Sequence, residues 1–435
     1  MYSNGGPENL WNKLVFCTFS HSKPKQKIKT MKSLLQKAAA AAAVMLWSAV
    51  AGVQAQNMVC HIEGTTTDAQ TDTVMLAEVT EDFRSSVAVE RVAVKDGHFA
   101  CTLTADAPRC YQVVAKNHFL NGGWYKCHFI VENAHVQLTL HDEDSEERPQ
   151  VTSDGVEWGK AQAIKAQVDA KYNPLYAEMD RRYAEIDSVV SKRLEAAQTD
   201  AQRDSMLQTM DDLKQQTMAV SEQYRDYQQQ AVLMEANLLR ESPVMYGLFA
   251  IYDKLATHGA AADAYSTLYD DVYRTRFAGH PYHQVIRNLI MAESLQPGRK
   301  YADYDVRGPE GRTVRLSSLF TGRIIFVDLW ASWCGPCRRH ARAIIPVYEK
   351  YKDKGFQVIG IAREKSLKAM QTVVRQDGYP WLNLLELNDE HRVWEKNGVS
   401  FSGGGGYLLA ADGTILAVYP EADELEEILK EKLGD

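Results

Sequence analysis

Two cysteines three positions apart constrain this chain more than any other feature. They stand in Trp333-Cys334-Gly335-Pro336-Cys337, shortly after the apolar run Ile324-Ile325-Phe326-Val327. A short apolar run predicts a buried strand, and Pro336 to Lys352 predicts a helix. A thiol pair at a strand-to-helix junction can close a small disulfide loop. The helix N-terminus stabilises negative charge, so the thiolate of Cys334 is favoured. Cys334 precedes the helix and is expected to be the exposed nucleophile. Cys337 lies one turn in and is expected to be the buried resolving thiol. Pro336 is expected at N1, where its missing N–H costs nothing. A C-x-x-C pair can also be half a zinc site. The sequence has no second such pair, and no H-x3–5-H pair follows this one at finger spacing, so the metal reading is weak.

The rest of 296–435 alternates strand and helix. Phe356 to Ile361 predicts the next strand. Tyr407-Leu408-Leu409 and Thr414 to Val418 flank Asp412-Gly413 as a hairpin at the sheet edge, and Glu421 to Leu433 predicts a terminal helix. That order predicts an α/β domain with helices on both faces of a central sheet.

Upstream, 56–152 reads as strands. Met58, Cys60 and Ile62 alternate, as do Phe99, Cys101 and Leu103, then Val136, Leu138 and Leu140. Asp96-Gly97 and Asn121-Gly122-Gly123 read as turns, and the whole predicts an all-β sandwich. Residues 153–295 switch to helix. Long stretches run from Ala161 to Leu194, interrupted at Pro174, and from Ala201 to Leu239. Ser242-Pro243 starts another with Pro at N1, and Gly279-His280-Pro281 a last one. The Gln-rich and charged runs around 195–230 read as solvated faces, since no sustained heptad marks a coiled coil.

The N-terminus reads as an address. Lys32 to Lys37 is basic, Ala38 to Val53 is uncharged over sixteen residues, and Val53-Gln54-Ala55 offers a small-x-small cleavage site. These describe a signal peptide at 31–55, cleaved after Ala55, and residues 1–30 read as an over-long start. An uncharged, Ala-rich stretch of this length is short for a membrane span. Export implies a periplasmic or envelope location where disulfides persist. The formal charge is -8, and the first 55 residues hold seven Lys and one Glu, so their removal takes it to -14. An acidic chain lacks the basic face a nucleic-acid binder needs.

The run Phe326-Val327-Asp328-Leu329-Trp330-Ala331-Ser332-Trp333-Cys334-Gly335-Pro336-Cys337 resembles the active-site segment of the thioredoxin superfamily. Leu316 to Leu319, and Lys354-Gly355-Phe356 to Ile361, extend the resemblance over 296–435 to exported, TlpA-like thiol-disulfide oxidoreductases. Residues 57–150 are more weakly similar to an uncharacterised β-domain found ahead of such domains. The resemblance implies that Asp328 is a buried carboxylate that takes and returns the proton of the resolving thiol. Burial beside a thiol raises a carboxyl pKa towards neutrality; a satisfied strand-end Asp is the plain alternative. Trp333, Gly335 and Pro336 make up the surroundings of the dithiol. Gly-Pro between the cysteines is the pair of reducing thioredoxins, near about -270 mV, which favours a reductant.

The chain departs from that pattern in two places. Arg338, Arg339, His340 and Arg342 crowd the first helical turns, either favouring the thiolate, attracting acidic partners, or lying on a solvated face; Arg342 stands where relatives often have Pro. In Ser402-Gly403-Gly404-Gly405-Gly406, Gly404 takes the place of the cis-Pro that faces the dithiol in thioredoxins. A trans bond and a loose loop are expected there, and a proline at Gly404 is expected to tighten it. Cys60, Cys101, Cys110 and Cys127 either form two disulfides or are small buried hydrophobes.

The resemblance implies a dithiol enzyme with no cofactor, acting on protein or peptide disulfides and supplied by a membrane electron donor. Two alternatives stand beside it: an envelope interaction protein with a weakened thioredoxin domain, and a peroxiredoxin-like peroxidase.

Overall fold

A computed structural model describes residues 57–434, except 123–126, 143–144, 146, 196–198, 209, 260 and 309–310. The expected signal peptide at 31–55 and the 30 residues before it lie outside the described residues, as does Gly123 of the second turn. Asn57–Asp435 hold together as one compact unit.

The alternating residues of the first part form eight strands: β1 Met58–Thr66, β2 Thr73–Glu78, β3 Glu90–Ala93, β4 His98–Ala105, β5 Arg109–Ala115, β6 His128–Val131, β7 Ala134–Leu140 and β8 Gln150–Ser153. They make two four-stranded sheets, ordered β4-β1-β7-β8 and β3-β2-β5-β6. Ile62, Phe99 and Val136 of one sheet meet Leu76, Val113 and Phe129 of the other in a shared core, a face-to-face sandwich. Asp96 and Gly97 both have positive φ, 52° and 73°, as a tight turn requires. This turn does more than join neighbours: β3 and β4 belong to different sheets, so it carries the chain from one layer to the other. The four cysteines here are free thiols. Cys60, Cys110 and Cys127 are buried among apolar side chains, and burial raises each thiol pKa. They are small hydrophobes rather than staples.

The central helices are α1 Val156–Glu195, α2 Asp211–Glu241, α3 Tyr246–Ala256 and α4 Tyr282–Ala292, with shorter pieces at Asp200–Gln208 and Ala262–Leu268. Two expectations fail here. Pro174 does not interrupt α1, which runs through it for 40 residues. Pro174 is exposed, and Tyr172 and Met179 on either side are buried, so packing on one face holds the helix across the missing N–H. Pro243 lies ahead of α3, which begins at Tyr246. Among the described residues no helix is long and apolar enough to cross a membrane.

The last part is built on β11 Ile324–Trp330, preceded by a small β9 Asp305–Arg307 and β10 Thr313–Arg315 pair. β12 Phe356–Glu364, β13 Leu382–Leu387, β14 Gly405–Ala410 and β15 Ile415–Val418 complete a sheet ordered β13-β12-β11-β14-β15. β11, β12 and β13 run parallel, and β14 runs antiparallel to β11. Phe326 and Trp330 face α5 Gly335–Tyr351, α6 Leu367–Asp377 and α7 Ala422–Leu433. Ile325, Val327 and Leu329 face the opposite layer, with Tyr304, Leu316 and Trp394. Every residue of β11 is buried, which is why the strand reads as one apolar run broken only by Asp328.

A candidate dithiol site

The loop after β11 delivers two sulfurs to the start of α5. Cys334 is the N-cap of α5 and is disulfide-bonded to Cys337, with Cα atoms 5.4 Å apart. The Cys337 N–H donates to Cys334 Sγ at 3.2 Å, so a backbone dipole at the helix start already points at this sulfur. α5 begins at Gly335, which places Pro336 at N2 rather than N1; an N–H is free of intrahelical duty there too. Cys337 is buried as expected. Cys334 is only 8% exposed, so the expected open nucleophile is nearly covered.

Asp328 lies on the β11 face shared by Phe326 and Trp330, where Cys337 packs. Its strand neighbours are glycines on both sides, Gly360 in β12 and Gly406 in β14. It is 1% exposed, and neither carboxyl oxygen has a hydrogen-bond partner. Burial alone pushes its pKa up, to about 7. The satisfied strand-end reading is therefore excluded.

The loop itself is anchored by a residue that sequence reasoning missed. Glu364, at the end of β12, accepts hydrogen bonds from the Ser332 N–H and Oγ–H. Its burial raises its pKa, and the Ser332 bonds oppose the rise. The helical cations are largely occupied. Arg338 donates to Asp377 from Nε and Nη2, at 2.7 and 2.9 Å, and Arg342 reaches the same carboxylate at 3.2 Å. His340 is buried, donates from Nε2 to the Pro420 carbonyl and stacks on Tyr419. Of the four, Arg339 and Arg342 are exposed and fit the solvated-face reading, Arg342 with its ion pair to Asp377.

The glycine run lies against the disulfide. A Cβ on Gly403 would stand 2.4 Å from Cys334 Sγ. One on Gly404 would stand 1.8 Å from the Leu329 carbonyl oxygen and 3.1 Å from Cys337 Sγ. No peptide bond among the described residues is cis, and neither glycine has positive φ. These glycines are required by lack of room, not by an unusual backbone. The expectation of a merely loose loop is corrected, and with it the expected benefit of proline at Gly404, whose ring has no space.

A second missed contributor comes from the β-sandwich. In the loop between β2 and β3, the Arg84 guanidinium stacks over Trp333 at 4.3 Å and donates to the Phe401 carbonyl at 3.0 Å. Asp82 holds Arg84 at 2.6 Å and also meets Arg363 at 3.2 Å. Burial would raise the Asp82 pKa, but the two guanidinia outweigh it and hold it low. Arg363, nearly fully buried, donates to Asp389 at 2.6 and 2.9 Å and to the Ser400 carbonyl at 2.9 Å. Ser85 donates to Asp389 as well, and Lys365 to the Phe83 carbonyl. Among the described residues no cluster of His, Cys, Asp and Glu has the makings of a metal site.

Residues 297–416 match the AhpC/TSA family. The thiol-disulfide oxidoreductase ResA of Bacillus thuringiensis (strain Al Hakam) is 30% identical over 86 residues, 20% of this chain and 49% of that protein. The chain thus spans about half the length of this curated relative. A thioredoxin of Coprinus comatus is 50% identical over 34 residues, 8% of this chain and 28% of that protein. Among solved structures, the thioredoxin domain of a Bacteroides vulgatus thiol-disulfide oxidoreductase is 22% identical, with 32% of this chain and 99% of that one covered and a TM-score of 0.30. A thiol-disulfide oxidoreductase from Bacteroides fragilis is 22% identical over 31% of this chain and 100% of that one, with a TM-score of 0.29. Residues 297–416 of this chain are thus similar to the AhpC/TSA family, and the curated relatives that this part resembles include thiol-disulfide oxidoreductases and a thioredoxin.

Proposed function

We propose that this protein is a thiol-disulfide oxidoreductase of the cell envelope, a reductant that exchanges its Cys334/Cys337 dithiol with disulfides in protein or peptide substrates. One observation carries the reading: a disulfide at a helix start shares its strand face with a buried carboxyl whose two oxygens have no partner. In the reduced protein the Cys334 thiolate attacks a substrate disulfide. A Cys334–substrate bond forms, and the first substrate sulfur leaves as a thiolate that takes up a proton from water. Cys337 then gives its proton to Asp328 and attacks Cys334 Sγ. The second substrate sulfur leaves and is protonated in turn, and the Cys334–Cys337 bond closes. The substrate gains two electrons and two protons, and a membrane donor restores the dithiol. A carboxyl with a pKa of about 7 can both accept and return a proton at neutral pH.

The glycine run, which on sequence alone favoured a weakened domain, packs against both sulfurs. It supports a working site rather than a remnant. The signal-like segment 31–55 supports export. Equilibration with glutathione, read by mass spectrometry, tests the proposal. A reversible two-electron couple near about -270 mV is expected. No reversible couple at Cys334 and Cys337 would end the enzyme reading.

A further inference from the structure

Beside the dithiol lies a cavity of about 240 Å³ that no part of the exchange chemistry uses. It forms where the β-sandwich, the helical part and the glycine loop meet. Val79, Phe83, Phe249, Tyr252 and Phe401 make its walls mostly apolar. The walls are held in place: Tyr252 donates to the Val79 carbonyl at 2.9 Å, and Tyr252 meets Phe401 edge to face at 6.4 Å. Arg84, which also lines the cavity, is fixed between Trp333 and the Phe401 carbonyl. Arg84 therefore links the cavity's lining to Trp333, the residue before Cys334.

Phe401 stands two residues before Gly403, the residue pressed against Cys334 Sγ. Two extended residues span at most about 7 Å. Phe401 is nonetheless 41% exposed, an uncovered aromatic at the cavity's edge. A chain lying along the glycine loop with its sulfur at Cys334 would bring a side chain two or three residues away to this opening. Polar side chains line it too, Glu81, Asp82, Gln112 and Asp253 among them, but its exposed surface is mostly apolar, and a pocket of this size with such walls suits one large apolar side chain.

We infer that this cavity is a specificity pocket that takes an aromatic side chain of a polypeptide substrate, two or three residues from the cysteine presented to Cys334. The inference rests on the proposed exchange reading for the position of that cysteine, and binding tests it separately from turnover.

The probes are nine-residue peptides with serine in place of the central cysteine. One phenylalanine is set in turn two or three residues to either side, and an otherwise identical peptide has serine there. Binding to the full oxidised protein is measured by titration calorimetry. At least one phenylalanine peptide is expected to bind ten-fold or more tightly than the serine peptide. Thr257→Trp places a large ring at an exposed lining position, and Phe401→Ala removes the exposed wall; both are expected to abolish the difference. Equal affinities, or no binding at millimolar peptide, would overturn the pocket. So would a preference that survives both substitutions. Turnover of a small dialkyl disulfide is followed in parallel: its absence would count against the dithiol reading, while the affinities still decide the pocket.

Discussion

Asp328 is a buried acid without a hydrogen bond, and its effect on stability has a definite sign. Its pKa rises from 3.8 in the unfolded chain to about 7 in the folded one. Between these values the folded state holds the proton more tightly, so stability falls as pH rises from about 4 to about 7 and is flat above that. At 1.36 kcal/mol per unit the loss approaches roughly 4 kcal/mol. Asp328→Asn is expected to remove the slope. Urea unfolding of the oxidised protein at pH 5 and pH 8 should show the variant's gain over the native protein larger by roughly 3 kcal/mol at the higher pH. The same variant is expected to turn over substrate about 100-fold or more slowly, because the proton acceptor is gone. A variant with an unchanged pH slope would mean that water reaches the carboxyl. At Gly404 the expected sign is opposite. Gly404→Pro forces atoms onto the Leu329 carbonyl and is expected to destabilise by about 1–3 kcal/mol in the same assay. The two sulfurs were legible in the sequence because strand, turn and helix start place them locally, whereas Asp328 was singled out by the family resemblance. The crowding at Gly403 and Gly404 was not legible, since it depends on where β14 lies beside β11.

At the scale of elements, α1 shows how packing overrides a local signal. A proline in a helix interior costs about 3 kcal/mol when nothing compensates, yet α1 continues through Pro174 because its buried face lies along α2. Pro174→Ala is therefore expected to stabilise this hairpin by about 1–3 kcal/mol, seen as a higher melting midpoint by circular dichroism at 222 nm. A lowered midpoint would show that Pro174 serves a contact. Alternating and apolar runs located β1, β4, β7, β11, β12, β14 and β15, because period-2 burial and buried apolar runs are written into neighbouring residues, but β2, β5, β8, β9, β10 and β13 were not read. Which sheet each strand joins was not readable. β3 and β4 follow one another through an ideal turn and still part company, since pairing is settled by partners far along the chain.

Across the whole molecule, the loop between β2 and β3 joins the sandwich to the dithiol domain through buried charge. Asp82 and Arg363 are each almost fully enclosed, and both have further partners in Arg84 and Asp389. Breaking this pair should cost less than a lone buried ion pair, for which 3–5 kcal/mol is usual. A double-mutant cycle with Asp82→Ala and Arg363→Met is expected to give a coupling of about 1–3 kcal/mol by urea unfolding. A coupling near zero would mean that Asp389 alone satisfies Arg363. The distance along the chain between these partners, 281 residues from Asp82 to Arg363, also bears on biosynthesis. A ribosome makes the sandwich first, at about 5–20 residues per second. Asp82 and Arg84 then wait, unburied, for tens of seconds until Arg363, Asp389 and Phe401 emerge. Docking of the loop therefore cannot precede the emergence of Phe401, and the cover over Trp333 is absent from any nascent chain shorter than that.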